Sequence, residues 1–175
     1  MNAPVDASVV RVLGAADAAA WRALRLRGLR EHPEAFTSSH EEDAAHPPEV
    51  AAARLASPRV TFWGAFLHGT LAGIVGLERE TRAKNRHKAT VVGLFVAPEA
   101  AGHGLGHALL QALLAQARAE GLQLLVLTVT EGNDTAVRLY RRCGFRAFGT
   151  EPRAILVDGR AYGKIHMYLA LTSAS

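Results

Sequence analysis

A turn with alternating glycines, between an apolar strand and a helix, is the feature that most restricts how this chain can fold. Gly102, Gly104 and Gly106 alternate where a helix with apolar residues at helical spacing is predicted over 105–120. Such glycines let the backbone approach a ligand closely and adopt conformations closed to other residues. The free N–H groups of the first helical turn point at one spot, with the positive end of the helix dipole behind them. The segment therefore predicts an anion site, with a glycine turn that binds nothing as the alternative.

Two nucleotide-binding motifs that use such glycines do not fit this turn. The phosphate loop places a lysine directly after its last glycine, and no lysine stands there. The dinucleotide fingerprint Gly-x-Gly-x-x-Gly/Ala requires a small residue at position 107 or 109, where the chain has His107 and Leu109. The expected anion therefore belongs to neither of these two motifs.

Charge and composition favour a small polyanionic ligand over nucleic acid. The chain has 175 residues, of which 49% are hydrophobic and 21% charged, and this fits one globular domain over 1–175. Its formal net charge is +4, but acidic residues are interleaved with the basic ones and no basic stripe carries aromatic residues. We therefore expect no nucleic-acid partner.

Cysteine content and the length of apolar runs indicate the compartment. Cys143 is the single cysteine, so no internal disulfide can form and a reducing compartment is the simple interpretation. The N-terminus has no basic segment followed by an apolar core and a cleavage site. No run approaches the roughly 18 apolar residues of a membrane span. We therefore expect a cytoplasmic protein with no membrane partner.

The order of apolar segments predicts an α/β fold with a mixed sheet and helices on both faces. Strand 89–96, helix 105–120, strand 122–130 and helix 133–144 follow one another, which implies a right-handed crossover between two parallel strands. Antiparallel hairpins surround this unit. The other predicted elements are a strand over 8–13, a helix from Asp17 to about Arg30, a loop over 37–48, a helix over 48–57, strands over 60–67 and 71–77, and strands over 145–157 and 162–169.

A second pattern follows the buried strand and carries a family resemblance. It reads Asn133-x-x-Ala136-x-x-Leu139-Tyr140-x-x-x-Gly144-Phe145. Together with the glycine turn it resembles the GNAT superfamily of acetyltransferases over about residues 89–145. The segment Pro33–Ser39 and His87 resemble one bacterial branch of that superfamily. The resemblance implies a central, mostly antiparallel sheet with one parallel strand pair and helices on both faces.

The resemblance also implies how acetyl-CoA, the family's cosubstrate, would lie. The backbone of Leu94, Phe95 and Val96 would pair with the pantetheine arm as an added strand does. The glycine turn would hold the pyrophosphate, and Asn133 and Tyr140 would lie near the thioester end. The residues of the turn expected to bind the cofactor are Ala101, Gly102, His103, Gly104, Leu105, Gly106 and His107.

Ala101 departs from the family pattern. The signature Arg/Gln-x-x-Gly-x-Gly/Ala usually begins with arginine or glutamine, and here that position is Ala101. Backbone N–H groups survive the change, so we expect weaker cofactor binding rather than none, with His103 or a nearby arginine as compensation. The departure also keeps open a second function, a non-catalytic acetyl-CoA-binding sensor or interaction module.

In this family the amine attacks the thioester directly, which assigns expected roles to several side chains. Tyr140 is the candidate general acid, because a phenol with a reference pKa of about 10 can protonate a departing thiolate. Packing against the sheet is its alternative role. Glu78, acting through a water, and His87 are the two candidate bases, and each is alternatively an exposed loop residue. Cys143 ends a helix and is interpreted as a packed small side chain.

The acceptor is expected to be a primary amine of a small molecule, an amino acid or a peptide, bound near Phe36 and Ser38. The acids over 41–43 are candidates for attracting a cationic amine, with a solvated loop as the alternative. A transferase of longer acyl chains is a further alternative. The arginines of the first predicted helix are interpreted as a solvated face: Arg22, Arg25, Arg27 and Arg30.

Three further expectations concern the carbonyl oxygen, metals and assembly. A backbone N–H near Phe95 or Val96 is the expected donor to the carbonyl oxygen as that oxygen gains charge. No metal is expected, because His103 and His107 form no ligand set with a nearby Cys, Asp or Glu. Homodimers are common in the family, but no feature of this sequence requires one.

Overall fold

The structure is a computed structural model that describes residues 8–171, and one seven-stranded sheet runs through it. Its strands are β1 (Ser8–Val12), β2 (Val60–Leu67), β3 (Thr70–Arg79), β4 (Lys88–Val96), β5 (Leu124–Thr130), β6 (Arg146–Val157) and β7 (Arg160–Ala170). Their spatial order is β1-β2-β3-β4-β5-β7-β6. The β4–β5 pair is parallel and the other neighbours are antiparallel, as the sequence predicted.

Five α-helices connect the strands of the described region: α1 (Ala18–Glu31), α2 (His40–Ala45), α3 (Pro48–Ala56), α4 (Leu105–Ala119) and α5 (Asp134–Arg142). On one face of the sheet, Trp21 of α1 packs edge-on against Phe62, with ring centroids 5.0 Å apart. Phe62 pairs with Gly76, and Gly73, three residues earlier, points to the opposite face. There a Cβ on Gly73 would lie 3.0 Å from Leu109 of α4. The helices therefore cover both faces, as predicted.

Helix α4 is fixed firmly against its surroundings. Leu105, Leu109 and Leu113 are almost fully buried, as expected for residues spaced four apart on one helical face. A Cβ on Gly106 would lie only 2.9 Å from Leu139 of α5. This glycine therefore allows the close approach of α4 and α5, and the approach fixes where the N-terminus of α4 points.

The two parallel strands pair only at their beginnings. The register of β4 with β5 runs from Lys88↔Leu124 to Thr90↔Val126 and ends there. Beyond this point β5 continues to pair with β7, while β4 pairs only with β3. A β-bulge interrupts the β3–β4 ladder, and Gly93 within it has φ +63°. The residues of β4 after Thr90 therefore have no strand on their β5 side.

One predicted loop is partly helical. Residues 37–48 were expected to be irregular, but α2 forms within them. The backbone N–H of Glu42 donates to Oγ of Ser39, and the N–H of Ser39 donates to the Glu42 carboxylate, at 3.1 and 2.9 Å. This reciprocal capping box, Ser-x-x-Glu in the sequence, stabilises the start of a short helix. In the described region, no helix is long and apolar enough to cross a membrane.

Candidate active site

A cleft opens where β4 and β5 separate, and it holds two cavities of about 480 and about 630 Å³. Both volumes are typical of small-molecule sites. The smaller, here the Tyr140 cavity, is lined by residues 90–94, 126–130 and Tyr140 among others. The larger, here the Phe95 cavity, is lined by residues 94–96 and 130–133 among others. The residues that line both are Ala35, Phe36, Leu94, Thr130, Asn133 and Ala136.

Residues 32–39, which connect α1 to α2, form a roof over the cleft. Its backbone is fastened to the end of β5, because Oγ1 of Thr130 donates a hydrogen bond of 2.6 Å to the carbonyl of Glu34. Its side chains are fastened to β7, because Nζ of Lys164 donates a hydrogen bond of 2.7 Å to Oγ1 of Thr37. Phe36 lies between these two bonds and lines both cavities. The predicted acceptor residues Phe36 and Ser38 thus both line the Tyr140 cavity.

The glycine turn has the geometry that an anion site requires. Gly102 and Gly104 have φ +83° and +70°, and a Cβ on either would meet no atom within 4 Å. The first intrahelical bond of α4 runs from the N–H of Ala108 to the carbonyl of Gly104. The N–H groups of residues 105–107 therefore have no partner within the helix. Open space over two glycines thus faces the unpaired N–H groups of a helix N-terminus.

Other residues of the turn have different partners. The N–H of Ala101 donates to the carbonyl of Pro98, so it is engaged within the turn itself. Nδ1 of His103 lies 3.1 Å from the carbonyl of Ala100. Gly106 packs against α5 rather than facing open space. Fewer residues of the turn therefore face open space than the sequence led us to expect.

The turn and the unpaired edge of β4 offer two kinds of contact that the expected acetyl-CoA would need. A diphosphate can approach the backbone closely over Gly102 and Gly104, where no side chain intervenes. An amide-bearing arm can hydrogen-bond to the edge of β4 at 94–96, which has no strand partner on its β5 side. That edge lines the Phe95 cavity.

Tyr140 lines the smaller cavity and is 6% exposed. Its ring packs edge-on against Phe145, with centroids 5.8 Å apart. Burial, and to a lesser extent the nearby Cys143, raises the pKa of Tyr140 well above its usual value. The phenol is therefore protonated at neutral pH. Asn133 caps α5, since its Oδ1 accepts from the N–H of Ala136 at 3.3 Å, and it lines both cavities.

The structure does not bring the two candidate bases together with Tyr140. Glu78 lies on β3 with a partly exposed side chain, 3.4 Å from the guanidinium of Arg59. His87 precedes β4 at the closed end of the parallel pair, where its carbonyl accepts from the N–H of Gln123. Neither residue lines the Tyr140 cavity or the Phe95 cavity.

Four charged or titratable side chains of the Tyr140 cavity were missed by sequence reasoning: Arg25, Arg54, Lys164 and His166. His166 lies on β7 opposite Thr128, and its Nε2 is 3.1 Å from Oε2 of Glu151 on β6. Polar residues at alternating positions of an otherwise apolar strand, Lys164 and His166, were the available signal. Interpreting it required knowing that β7 lies next to β5.

Arg25 and the acids over 41–43 do not lie in the surroundings that the sequence predicted for them. The side chain of Arg25 is only 11% exposed and pairs with Asp43 at 2.5 Å, so its interpretation as part of a solvated face is wrong. Glu42 caps α2. None of the acids over 41–43 lines the Tyr140 cavity. Cys143 is half-buried, and burial raises the pKa of its thiol, which agrees with a packing role.

Comparison with known proteins gives a consistent result. The sequence model of the acetyltransferase (GNAT) family matches residues 24–145. An N-alpha-acetyltransferase RimI of Mycobacterium tuberculosis is 36% identical over 118 residues, which are 67% of this chain and 72% of that protein. An L-methionine sulfoximine/L-methionine sulfone acetyltransferase of Pseudomonas aeruginosa is 38% identical over 71 residues. That match covers 41% of this chain and 39% of the relative, so the chain spans about two fifths of its length.

The fold is also similar to solved structures. The structure of yncA from Salmonella typhimurium with its cofactor acetyl-CoA superposes with a TM-score of 0.85 at 21% identity. The superposition covers 97% of this chain and 96% of the other. At this level of identity the likeness concerns the fold.

Proposed function

This chain belongs to the acetyltransferase (GNAT) family, and on that premise we propose that it acetylates a primary amine of a small molecule, an amino acid or a peptide. Acetyl-CoA is the cosubstrate and supplies an acetyl group activated as a thioester. The observation that carries the proposal is the meeting of the two cavities at Leu94 and Asn133, where the parallel strands separate. One cavity can receive the cofactor arm while the other receives the acceptor.

The cofactor side of this arrangement uses backbone groups. The N–H groups of the first turn of α4 would bind the diphosphate, with Gly102 and Gly104 leaving room for it. The unpaired edge of β4 at Leu94, Phe95 and Val96 would bind the pantetheine arm. A backbone N–H of that edge would donate to the carbonyl oxygen as it gains charge. Since these contacts come from the backbone, the alanine at position 101 does not remove them.

The proton on the leaving side would come from Tyr140. Its hydroxyl is protonated at neutral pH because burial raises its pKa, and it lines the cavity at the point where the parallel strands part. A positioned phenol can donate its proton to the sulfur as the thiolate departs. The raised pKa reduces the driving force for this transfer, but it keeps the acid in the correct protonation state.

The proton on the attacking side requires a base, and His166 is better placed than either candidate from the sequence. It lines the same cavity as Tyr140, whereas Glu78 and His87 line neither cavity. If Nε2–H of His166 donates to Glu151, Nδ1 remains free to accept a proton from the ammonium group of the acceptor. Glu78 and His87 stay as rivals that would act through bound water.

The family relatives suggest two kinds of acceptor. One relative is an L-methionine sulfoximine/L-methionine sulfone acetyltransferase, and the other is an N-alpha-acetyltransferase. Both names point to an α-amine as the acceptor. The Tyr140 cavity, at about 480 Å³, is large enough for a small amine or for the end of a peptide.

Calorimetric titration of acetyl-CoA, followed by an amine panel read by free-thiol release, tests the proposal. Wild type should bind acetyl-CoA, and Gly104→Asp should not, because a carboxylate would occupy the anion site. Thiol release with at least one primary amine should follow. Binding without turnover on any amine would support the non-catalytic alternative, and no binding at millimolar acetyl-CoA would defeat the proposed function itself.

A further inference from the structure

The Tyr140 cavity carries a marked excess of positive charge. Arg25, Arg54 and Lys164 all line it. Within residues 8–171, no aspartate or glutamate lines this cavity. A site for a purely cationic amine would be expected to show the opposite charge.

Two of the three cations already have partners. Arg25 pairs through Nε with Asp43 at 2.5 Å, and its Nη2 lies 3.4 Å from Oγ of Ser38. Lys164 donates from Nζ to Oγ1 of Thr37 at 2.7 Å. These bonds tie α1, α2 and β7 to the roof. Both residues therefore have a structural role in addition to any contact with a ligand.

Arg54 differs from both. Its Nε is buried and has no hydrogen-bond partner in the described part of the chain. Its guanidinium lies over the ring of Phe62, with Cζ 5.4 Å from the ring centroid. Desolvation, together with the nearby charge of Arg25, lowers the pKa of Arg54. The carboxylates of Glu78 and Asp43 offset part of this lowering, but Nε of Arg54 donates to neither of them. An arginine nevertheless keeps its charge in proteins, so a half-buried cation with an unused donor lies at the cavity.

Such an arrangement is costly for folding. A half-buried charge with a buried donor that makes no hydrogen bond loses solvation and recovers only part of it from carboxylates nearby, and an apolar residue of similar volume is often neutral or stabilising there. The proximity of Arg25 adds repulsion between like charges. Two guanidinium groups that converge on one cavity form instead a suitable site for an oxyanion, which can accept hydrogen bonds from both.

The position of Arg25 relates this charge to the reaction centre. A Cβ on Gly93 would lie 3.7 Å from Nη1 of Arg25, so that guanidinium lies against the bulge of β4. The bulge is the point where β4 leaves β5, and Leu94, which follows it, lines both cavities. An anion held by Arg25 and Arg54 would thus lie next to the place where the amine must attack.

We propose that the acceptor amine carries a carboxylate or a similar oxyanion, which Arg54 binds with Arg25 beside it. This inference rests on the proposed function and names the class of its acceptor: a small amine of the amino-acid type. The free carboxylate is the distinguishing group, because an internal peptide carbonyl has no negative charge to pair with Arg54. The same contact would orient the amine toward the thioester.

A pair of product analogues tests the anion site without requiring turnover. N-acetylglycine and N-acetylglycinamide differ only in the carboxylate, and each is titrated into the protein loaded with coenzyme A. Wild type should bind the acid at least about tenfold more tightly than the amide, the scale of a hydrogen-bonded charge pair. Arg54→Met should bind the two equally. Equal binding by wild type, or no binding of the acid at tens of millimolar, would overturn the proposal.

Steady-state kinetics gives a second test of the proposed carboxylate site. The twenty common L-amino acids and their carboxamides are compared by free-thiol release. At least one acid should react with a kcat/KM at least about tenfold above that of its amide, and Arg54→Met should abolish the difference mainly by raising KM. Amides that react as fast as the acids would show a transferase without this anion site. Absence of thiol release with every amine would instead count against the proposed function.

Thermal unfolding separates a binding role from a structural one. Arg54→Met should melt at or above the temperature of wild type, because the change removes a half-buried charge whose Nε makes no hydrogen bond. Arg59→Met is the matched control, since Arg59 is largely exposed, pairs with Glu78 and lies outside the cavity. It should leave the ratio of acid to amide unchanged. A destabilised Arg54→Met with an unchanged ratio would assign Arg54 to packing.

Discussion

Lys164 on β7 donates a hydrogen bond of 2.7 Å from Nζ to Oγ1 of Thr37, in the segment that covers the cleft. The bond spans the cleft, since Thr37 follows α1 and β7 lies beyond β5 in the sheet. Lys164 is 8% exposed, so the bond forms in a largely dry environment. The roof over the Tyr140 cavity is therefore held by a buried ammonium group from β7, the strand beyond β5.

Replacing Lys164 with methionine should release this part of the roof while preserving the fold. Methionine retains most of the apolar stem, but Thr37 loses its partner. We expect KM for the acceptor to rise by about tenfold, the scale of one lost charge-assisted hydrogen bond, with a smaller effect on kcat. Steady-state kinetics at saturating acetyl-CoA measures this. A normal KM would show that the roof holds its position without Lys164.

The same residue predicts a pH dependence of stability. Desolvation lowers the pKa of Lys164 in the folded protein, so between that lowered pKa and 10.5 the unfolded chain binds more protons. Within this window, the free energy of unfolding of wild type should rise with pH relative to that of Lys164→Met. Urea unfolding of both proteins at pH 7 and near pH 10 gives the comparison. A difference that does not change with pH would mean that Lys164 is not desolvated.

Gly104→Ala should weaken acetyl-CoA binding, whereas Gly121→Ala, with a similar loss of stability, should not. Gly104 has φ +70° at the N-terminus of α4, and Gly121 has φ +74° just beyond its C-terminus; neither would bring a Cβ near another atom. Each alanine should therefore cost about 1–2 kcal/mol of stability through backbone strain. Only Gly104→Ala should impair binding of acetyl-CoA, as measured by calorimetry. Equal binding by both variants would place the cofactor elsewhere.

Tyr140→Phe should lower kcat by about a hundredfold without changing the affinity for acetyl-CoA, because it removes a proton donor but keeps the packing against Phe145. Tyr168→Phe is the control, since that ring contacts Phe148 and lies outside both cavities. Rapid-mixing measurements of thiol release give the rate of the chemical step. A near-normal rate in Tyr140→Phe would leave Tyr140 with a packing role.

The fold and the geometry of the glycine turn could be predicted because their signals are local in sequence. The glycine turn, the helix it starts and the Asn133 cap each lie within a few residues of one another, and short-range geometry determines them. The parallel pair followed from the order of strand and helix. The separation of β4 from β5 was not predicted from the residues themselves, because the bulge at Gly93 depends on the register with β3.

The charged residues of the Tyr140 cavity could not be predicted in the same way. Arg54 comes from α3, Lys164 and His166 come from β7, and the chain brings them together only because β7 lies between β5 and β6. Sequence position gave no sign of that insertion. Arg25 was hidden for a related reason, since an arginine on a polar helix is usually solvated and only its pairing with Asp43 draws it inward.

The choice of base makes the sharpest remaining prediction. His166→Gln should lower kcat/KM by about a hundredfold near neutral pH, because no imidazole then lies in the cavity to accept the proton of the ammonium group. Glu151→Gln keeps the histidine but removes the carboxylate 3.1 Å from its Nε2. The imidazole then loses the partner that orients it, so kcat/KM should fall by a smaller factor than in His166→Gln. Glu78→Gln and His87→Gln are the matched comparisons, since neither residue lines either cavity, and both should keep the wild-type kcat/KM. A large loss of kcat/KM in one of these two variants, with His166→Gln unaffected, would assign the base to that residue acting through water.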